Sequence, residues 1–321
     1  MKKIKLLIVI MVLLSACSSD PERSYYILDE TELVPEGIAY SAAAEKFYLT
    51  SLGKSKIISL DEKTGEQEDF ISERESNFPP GAGIFVDDER SLLHAVGGYY
   101  SIEDSVTSLF TFDLNTRELL NRYDVSAEGP HFLNDLIQDN EGNIYVTDSK
   151  SAAIWLLGKG NEELELFYHS DDILYPNGIA ISDDNTNLFI ASSKGVRILN
   201  IGTKEIVNEE DTLGISQGID GLELYKNNLY AVQNGVESNG YNFRMLELNE
   251  AQNKITGFRV IDEGEDLNLP LTFCIANDKA VVIGNSNLQY LDQESLSFPV
   301  GDSLKNTKLL IYDLSNRSIN P

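Results

Sequence analysis

The sequence predicts an all-β chain folded as a six-bladed β-propeller whose ring is closed by an N-terminal strand, and three observations predict it. From residue 34 onward there is almost no helical periodicity; short alternating runs separated by Asp/Asn/Gly clusters mark antiparallel strands and hairpins instead. One unit recurs six times in phase, starting at residues 36, 82, 134, 177, 220 and 272. The spacing suits four strands with loops of variable length. The sixth copy runs out of chain after its third strand, while a spare strand at 25–28 precedes the first copy. That strand is free to supply the missing outer position and leave no raw sheet edge. A two-sheet sandwich, the structural rival, does not account for six in-phase repeats.

The N-terminus comes first in chain order. Lys2, Lys3 and Lys5 precede an apolar run at 6–14 and then small residues. This is the pattern of a secretory signal peptide, too short to span a bilayer. The segment ends Leu14-Ser15-Ala16-Cys17, similar to a bacterial lipobox. Residues 1–16 are therefore expected to be removed, Cys17 to carry a lipid, residues 17–23 to form a polar tether, and 24–321 to form the propeller. The protein is expected in the bacterial cell envelope, at the outer membrane or on the periplasmic face, touching the membrane only through its lipid. Cys274 is then left without a partner.

Four copies of the unit superpose well. Glu36-Gly37-Ile38-Ala39 leads to Phe47-Tyr48-Leu49-Thr50, and Asn134-Asp135-Leu136-Ile137 leads to Ile144-Tyr145-Val146-Thr147. Asn177-Gly178-Ile179-Ala180 and Asp220-Gly221-Leu222-Glu223 are each followed in the same way. Weaker copies begin at Ala82 and Thr272. Third strands are expected at 56–60, 109–114, 153–157, 196–201, 244–248 and 309–314, and fourth strands in the first five copies, such as 119–125 and 257–261.

Composition limits the chemistry. With 52 Asp+Glu against 25 Lys+Arg the net charge is −27, and losing the leader removes three lysines and no acid, which takes it to −30. Such a surface repels phosphate, so nucleic acid is not an expected partner. Hydrophobic residues at 42% are enough for one large core and exclude disorder. Two cysteines cannot make a disulfide scaffold, and three histidines argue against a His-based zinc site. An oxygen-liking cation is the metal this composition suits.

First strands line the channel of a propeller, so residues at one blade position form a ring around its axis. That ring reads Glu36, Ala82, Asn134, Asn177, Asp220 and Thr272. Two carboxylates and two amides among them suit Ca²⁺, or another divalent cation, completed by water and substrate. Asn-Gly and Asp-Gly are also common hairpin turns; here the turns fall on the polar clusters nine to eleven residues later.

PEGIAY, FLNDLIQDNEGNIYVTDS, PNGIAISDD and IDGLELYKNNLYAV closely resemble the senescence-marker-protein/gluconolactonase (regucalcin-like) family, which has diisopropylfluorophosphatase-like and paraoxonase-like relatives. The resemblance is good over residues 34–235 and loose in the last blade. It implies that Glu36, Asn177 and Asp220 are metal ligands. Asn134 matches an asparagine that contacts metal or substrate, and Asp220 the carboxylate proposed as general base or nucleophile. Three departures stand beside these matches. Blade two reads Gly81-Ala82-Gly83 where paraoxonase-like enzymes use histidine, and blade six lacks the histidine of the phosphatase-like relatives. His131-Phe132-Leu133-Asn134 lacks the regucalcin-like arginine, so sugar-lactone specificity does not come with the metal site.

His131 lies in the loop before an inner strand and is a weak candidate base, more simply a solvated loop histidine. His94 and His169 align with structural strand positions. Cys274 aligns with Ile38, Ile84, Leu136, Ile179 and Leu222, so it is a packing residue. Asp135 is either a polar neighbour or an orienting partner of the ring. Loops joining second and third strands emerge on the face where first strands begin. The long ones, at 97–107, 233–242 and 285–306, are expected to overhang the mouth and to offer Tyr99, Tyr100, Asn234, Tyr241 and Asn285 to a substrate. The expected function is Ca²⁺-dependent hydrolysis of a small-molecule lactone or ester by a monomer, with Asp220 and Asn134 at the reacting centre. The rival class is a non-catalytic ligand-binding propeller lipoprotein with a structural metal.

Overall fold

Six antiparallel sheets follow one another along the chain, each meandering outward from an inner strand to an outer one. The inner strands are Pro35–Ser41, Gly81–Asp87, Leu133–Gln138, Ile179–Ile181, Ile219–Tyr225 and Phe273–Ala276. They begin at or beside the six repeat starts read from the sequence. The computed structural model describes residues 24–102, 106–235, 240–299 and 303–315. The expected leader, Cys17 and the tether lie outside the described residues. Helix among the described residues comprises short 3₁₀ turns such as Glu75–Asn77, Asp171–Ile173 and Leu288–Tyr290.

The ring closes as expected. Tyr25–Ile27 pairs antiparallel with Lys308–Asp313, matching Tyr25 to Leu310 and Ile27 to Lys308, and completes the sixth sheet. Leu28, fully buried, then packs with Phe47 and Leu309 between the last blade and the first. Each of the six blade-to-blade interfaces holds its own apolar cluster, so the core is a ring of wedges rather than one central mass. The axis itself is free for polar groups.

One strand expectation is corrected. Blade four has three strands and no fourth; only Leu199 and Ile206 bridge beyond Arg197–Asn200. The side chain of Asn208 takes over the outer ladder, accepting from the Ile198 N–H at 2.7 Å and donating to the Val196 carbonyl at 2.8 Å. An amide that satisfies both backbone groups removes the need for a longer partner strand.

The inner strands share a device that sequence periodicity does not reveal. In blades one, two, three and five the pairing slips at the ring position, between Pro35/Ile38, Gly81/Ile84, Leu133/Leu136 and Ile219/Leu222. Two residues there oppose one on the second strand, which is a β-bulge that re-aims the ring side chain. The glycine after the ring residue lets neighbouring blades close up: a Cβ on Gly178 would collide with the carbonyl oxygen of Asp220.

Candidate metal centre and substrate cavity

Two cavities lie along the propeller axis. The inner one, about 190 Å³, is the central channel, lined by the inner strands. The outer one, about 320 Å³, sits at the mouth beneath the second-to-third-strand loops. Glu36, Asn134, Asn177 and Asp220 line both, so together they form the partition between channel and mouth. The bulges of blades one, three and five, with the start of the blade-four inner strand, bring residues far apart in sequence to this one level.

The partition is poor in compensation for its charge. Glu36 Oε2 is buried and has no hydrogen-bond partner. Burial, and then the charges of Asp220 and Asp135, hold the Glu36 carboxyl well above the usual carboxylate range. Asp220 is pushed up to about 7, chiefly by burial, against the opposing hydrogen bonds of Asn234 and Asn177. Deeper in the channel, burial lifts Asp135 to about 6 and Glu223 to about 8. No lysine, arginine or histidine lines either cavity among the described residues. Buried carboxylates without a basic partner must be protonated or meet a cation. An unpartnered carboxylate oxygen, a second carboxylate and two amides facing one space fit a hard divalent ion. Among the described residues no group of three or more His, Cys, Asp or Glu forms a metal cluster; only two of these four side chains are of those types.

Asp220 is held in place by its neighbours. One Asn234 amide hydrogen goes to Asp220 Oδ2, and the other to the Pro270 carbonyl at 2.7 Å. Asp135 serves as a clasp: its Oδ2 accepts from the Ile179 N–H of blade four at 3.0 Å, and its Oδ1 from the Leu136 N–H at 2.9 Å. It therefore supports the backbone beside Asn177 and does not sit in the mouth cavity.

The structure sorts the other candidates. Tyr99, Tyr100 and Asn234 line the mouth cavity, whereas Tyr241 and Asn285 do not. Asn285 instead shapes its own loop, donating to the Asn306 carbonyl at 3.2 Å and accepting from the Lys308 N–H at 2.8 Å. His131 lines neither cavity. Its Nδ1 lies 2.6 Å from Asp148, a carboxylate that also accepts from Trp155 Nε1 at 3.0 Å and the Phe132 N–H at 2.9 Å. The histidine thus ties the loop to blade three. Cys274 is buried, and burial pushes its thiol up, in keeping with a packing role. Leu52, Leu269, Leu271, Leu288, Leu291 and Leu296 were missed as cavity residues; they belong to blades one and six, and apolar loop residues carry no periodic signal.

The sequence profile of the SMP-30/gluconolactonase/LRE-like region matches residues 34–224. The chain belongs to this family. No curated protein matches it. Among solved structures it is similar to a calcium-binding regucalcin from Agrobacterium tumefaciens at 15% identity and TM-score 0.61, covering 91% of this chain and 95% of that one. It is also similar to a gluconolactonase from Xanthomonas campestris at 12% identity and TM-score 0.60, again covering 91% and 95%. A PQQ-bound aldose sugar dehydrogenase from Streptomyces coelicolor aligns equally well, at 14% identity and TM-score 0.60 over 90% of this chain and 97% of that one. At these identities the likeness establishes the propeller, and the choice of chemistry rests on the site.

Proposed function

We propose that this family member is a Ca²⁺-dependent lactone hydrolase, tethered to the cell envelope through Cys17. The observation that carries the reading is the partition formed by Glu36, Asn134, Asn177 and Asp220, with an unpartnered buried carboxylate oxygen and, among the described residues, no basic side chain lining either cavity. These four residues would hold the ion, which when bound supplies a Lewis acid for the lactone carbonyl. Asp220 accepts the proton of the attacking water. It returns that proton to the ring oxygen as the C–O bond breaks, leaving a hydroxy acid. Asn234 and Asn177 keep the carboxylate in one orientation during both transfers.

The test is Asp220→Asn, which preserves shape and an oxygen ligand while removing the proton acceptor. Ca²⁺ affinity, followed by thermal shift, should fall, yet lactone turnover at saturating Ca²⁺ should stay about 10²–10⁴-fold below wild type. Full turnover restored by excess Ca²⁺ would make Asp220 a ligand only. If wild type hydrolyses no lactone or aryl ester, the reading passes to a metal-stabilised binding propeller.

A further inference from the structure

The walls of the mouth cavity differ from its floor. Above the four partition residues the surface is built from Leu269, Leu271, Leu288, Leu291, Leu296 and Phe132. Leu271 is 2% exposed and Leu291 9%, so these two are packing residues, while Leu269, Leu288 and Leu296 are half-buried. The segment that carries three of them is anchored. Asn287 donates to the Thr31 carbonyl at 2.9 Å and the Lys305 carbonyl at 2.7 Å, and Ser286 donates to the Leu269 carbonyl at 2.8 Å. Few polar groups face the cavity above the floor. They are Tyr99, Tyr100, Asn234 and Gln293, none of them charged. Both Asn234 amide hydrogens are committed to Asp220 and Pro270. Tyr100 packs edge-on against Phe132 with ring centroids 5.1 Å apart, and the Lys150 ammonium caps its ring at 5.0 Å.

A polyhydroxylated sugar lactone placed here would bury more hydroxyls than these few neutral side chains can pair, a loss that unpaired buried polar groups do not recover. An alkyl chain would gain from every methylene withdrawn from water. We propose that this cavity selects neutral, alkyl-substituted lactones, with the ring at the partition and the chain against the leucines of blade six. This rests on the lactonase reading above and narrows its substrate class.

The experiment uses the full-length protein with Ca²⁺ and two ligand series. The first is γ-lactones bearing ethyl, butyl and hexyl chains, together with glucono-δ-lactone, read as kcat/KM. The second is the 2-alkylcyclopentanones of the same chain lengths, which cannot be hydrolysed, read as Kd by calorimetry. Both readouts should improve by about fourfold per methylene until the cavity is filled. Glucono-δ-lactone should fall at least about a hundredfold below the hexyl lactone, as expected when several hydroxyls are buried unpaired. Leu288→Ser and Leu296→Ser, checked for unchanged melting, should flatten the chain-length slope in the ketone series. A flat ketone series, an unchanged slope in both variants, or a preference for glucono-δ-lactone overturns the proposal. A steep ketone series without turnover of any lactone supports the ligand class and overturns the hydrolase reading, so the two fail separately.

Discussion

Asp220 and His94 are both buried titratable side chains, and different circumstances make each tolerable. Asp220 faces a space shared with Glu36, Asn134 and Asn177, where a cation can compensate its charge. His94 is 5% exposed on a second strand, with Nδ1 2.9 Å from the Thr111 hydroxyl, and lines neither the channel nor the mouth cavity. Burial drives its pKa down from 6.5 to about 4, with Asp87 opposing and Arg90 adding to the shift. As pH falls through 6.5 the unfolded chain takes a proton that the folded chain refuses until about 4. Stability therefore drops across that window on acidification. Relative to His94→Leu, wild type should lose up to about 3 kcal/mol of unfolding free energy between those limits. Urea titrations at several pH values measure it, and parallel curves for the two proteins would refute it. That His94 is structural was legible from its place in the repeat; that Asn234 grips Asp220 was not, because the contact crosses a loop.

At the scale of the strand, the bulge is what converts a repeat into a site. In blades one and three the residue opposite the bulge is a threonine. Thr50 accepts from the Gly37 N–H at 2.8 Å and donates to the Ala82 carbonyl; Thr147 accepts from the Asp135 N–H at 2.9 Å and donates to the Asn177 carbonyl at 2.8 Å. Each hydroxyl satisfies the bulge and tethers the ring residue of the next blade. Blades two and five have Val96 and Val232 at the same place, so valine fits there sterically. Thr147→Val should therefore cost about 1–3 kcal/mol through unpaired backbone groups rather than through packing, and should weaken Ca²⁺ binding by freeing Asn177. Chemical denaturation and a Ca²⁺-dependent thermal shift measure the two effects; a change below about 0.3 kcal/mol would show that the hydroxyl is dispensable. The sequence signalled the strands through their alternation and the ring through its phase. It did not signal the bulges, because a two-for-one pairing shows only when both strands are laid together.

At the scale of the molecule, closure of the ring also fixes where the chain enters. The strand Lys308–Asp313 starts on the mouth side, and the Ile311 N–H donates to the Ser24 carbonyl at 3.0 Å. Tyr25–Ile27 runs antiparallel to it, so the chain enters this strand from the side opposite the mouth. Only residues 18–23 separate Ser24 from Cys17, a reach of about 20 Å when extended. If Cys17 bears the lipid, the mouth should point away from the membrane. Fluorophores at Leu213→Cys, on a mouth-side loop, and Glu141→Cys, on an opposite-side turn, report this in vesicles carrying a headgroup quencher. Buried Cys274 stays unlabelled. Quenching should be stronger at Glu141; stronger quenching at Leu213 would reverse the orientation, and no vesicle association would refute the anchor.

The sequence by itself determined the blade count, the closing strand and the four partition residues. Repeats in phase impose a common geometry, and a missing strand at one end must be matched by a spare one at the other. It overestimated blade four, where the Asn208 side chain replaces a strand, and it offered Tyr241, Asn285 and His131 to a cavity that none of them lines. Tertiary structure alone decided the character of the mouth. Its leucines come from the first and last blades, brought together only when the ring closes, and apolar residues in irregular loops carry no periodicity from which burial could be read.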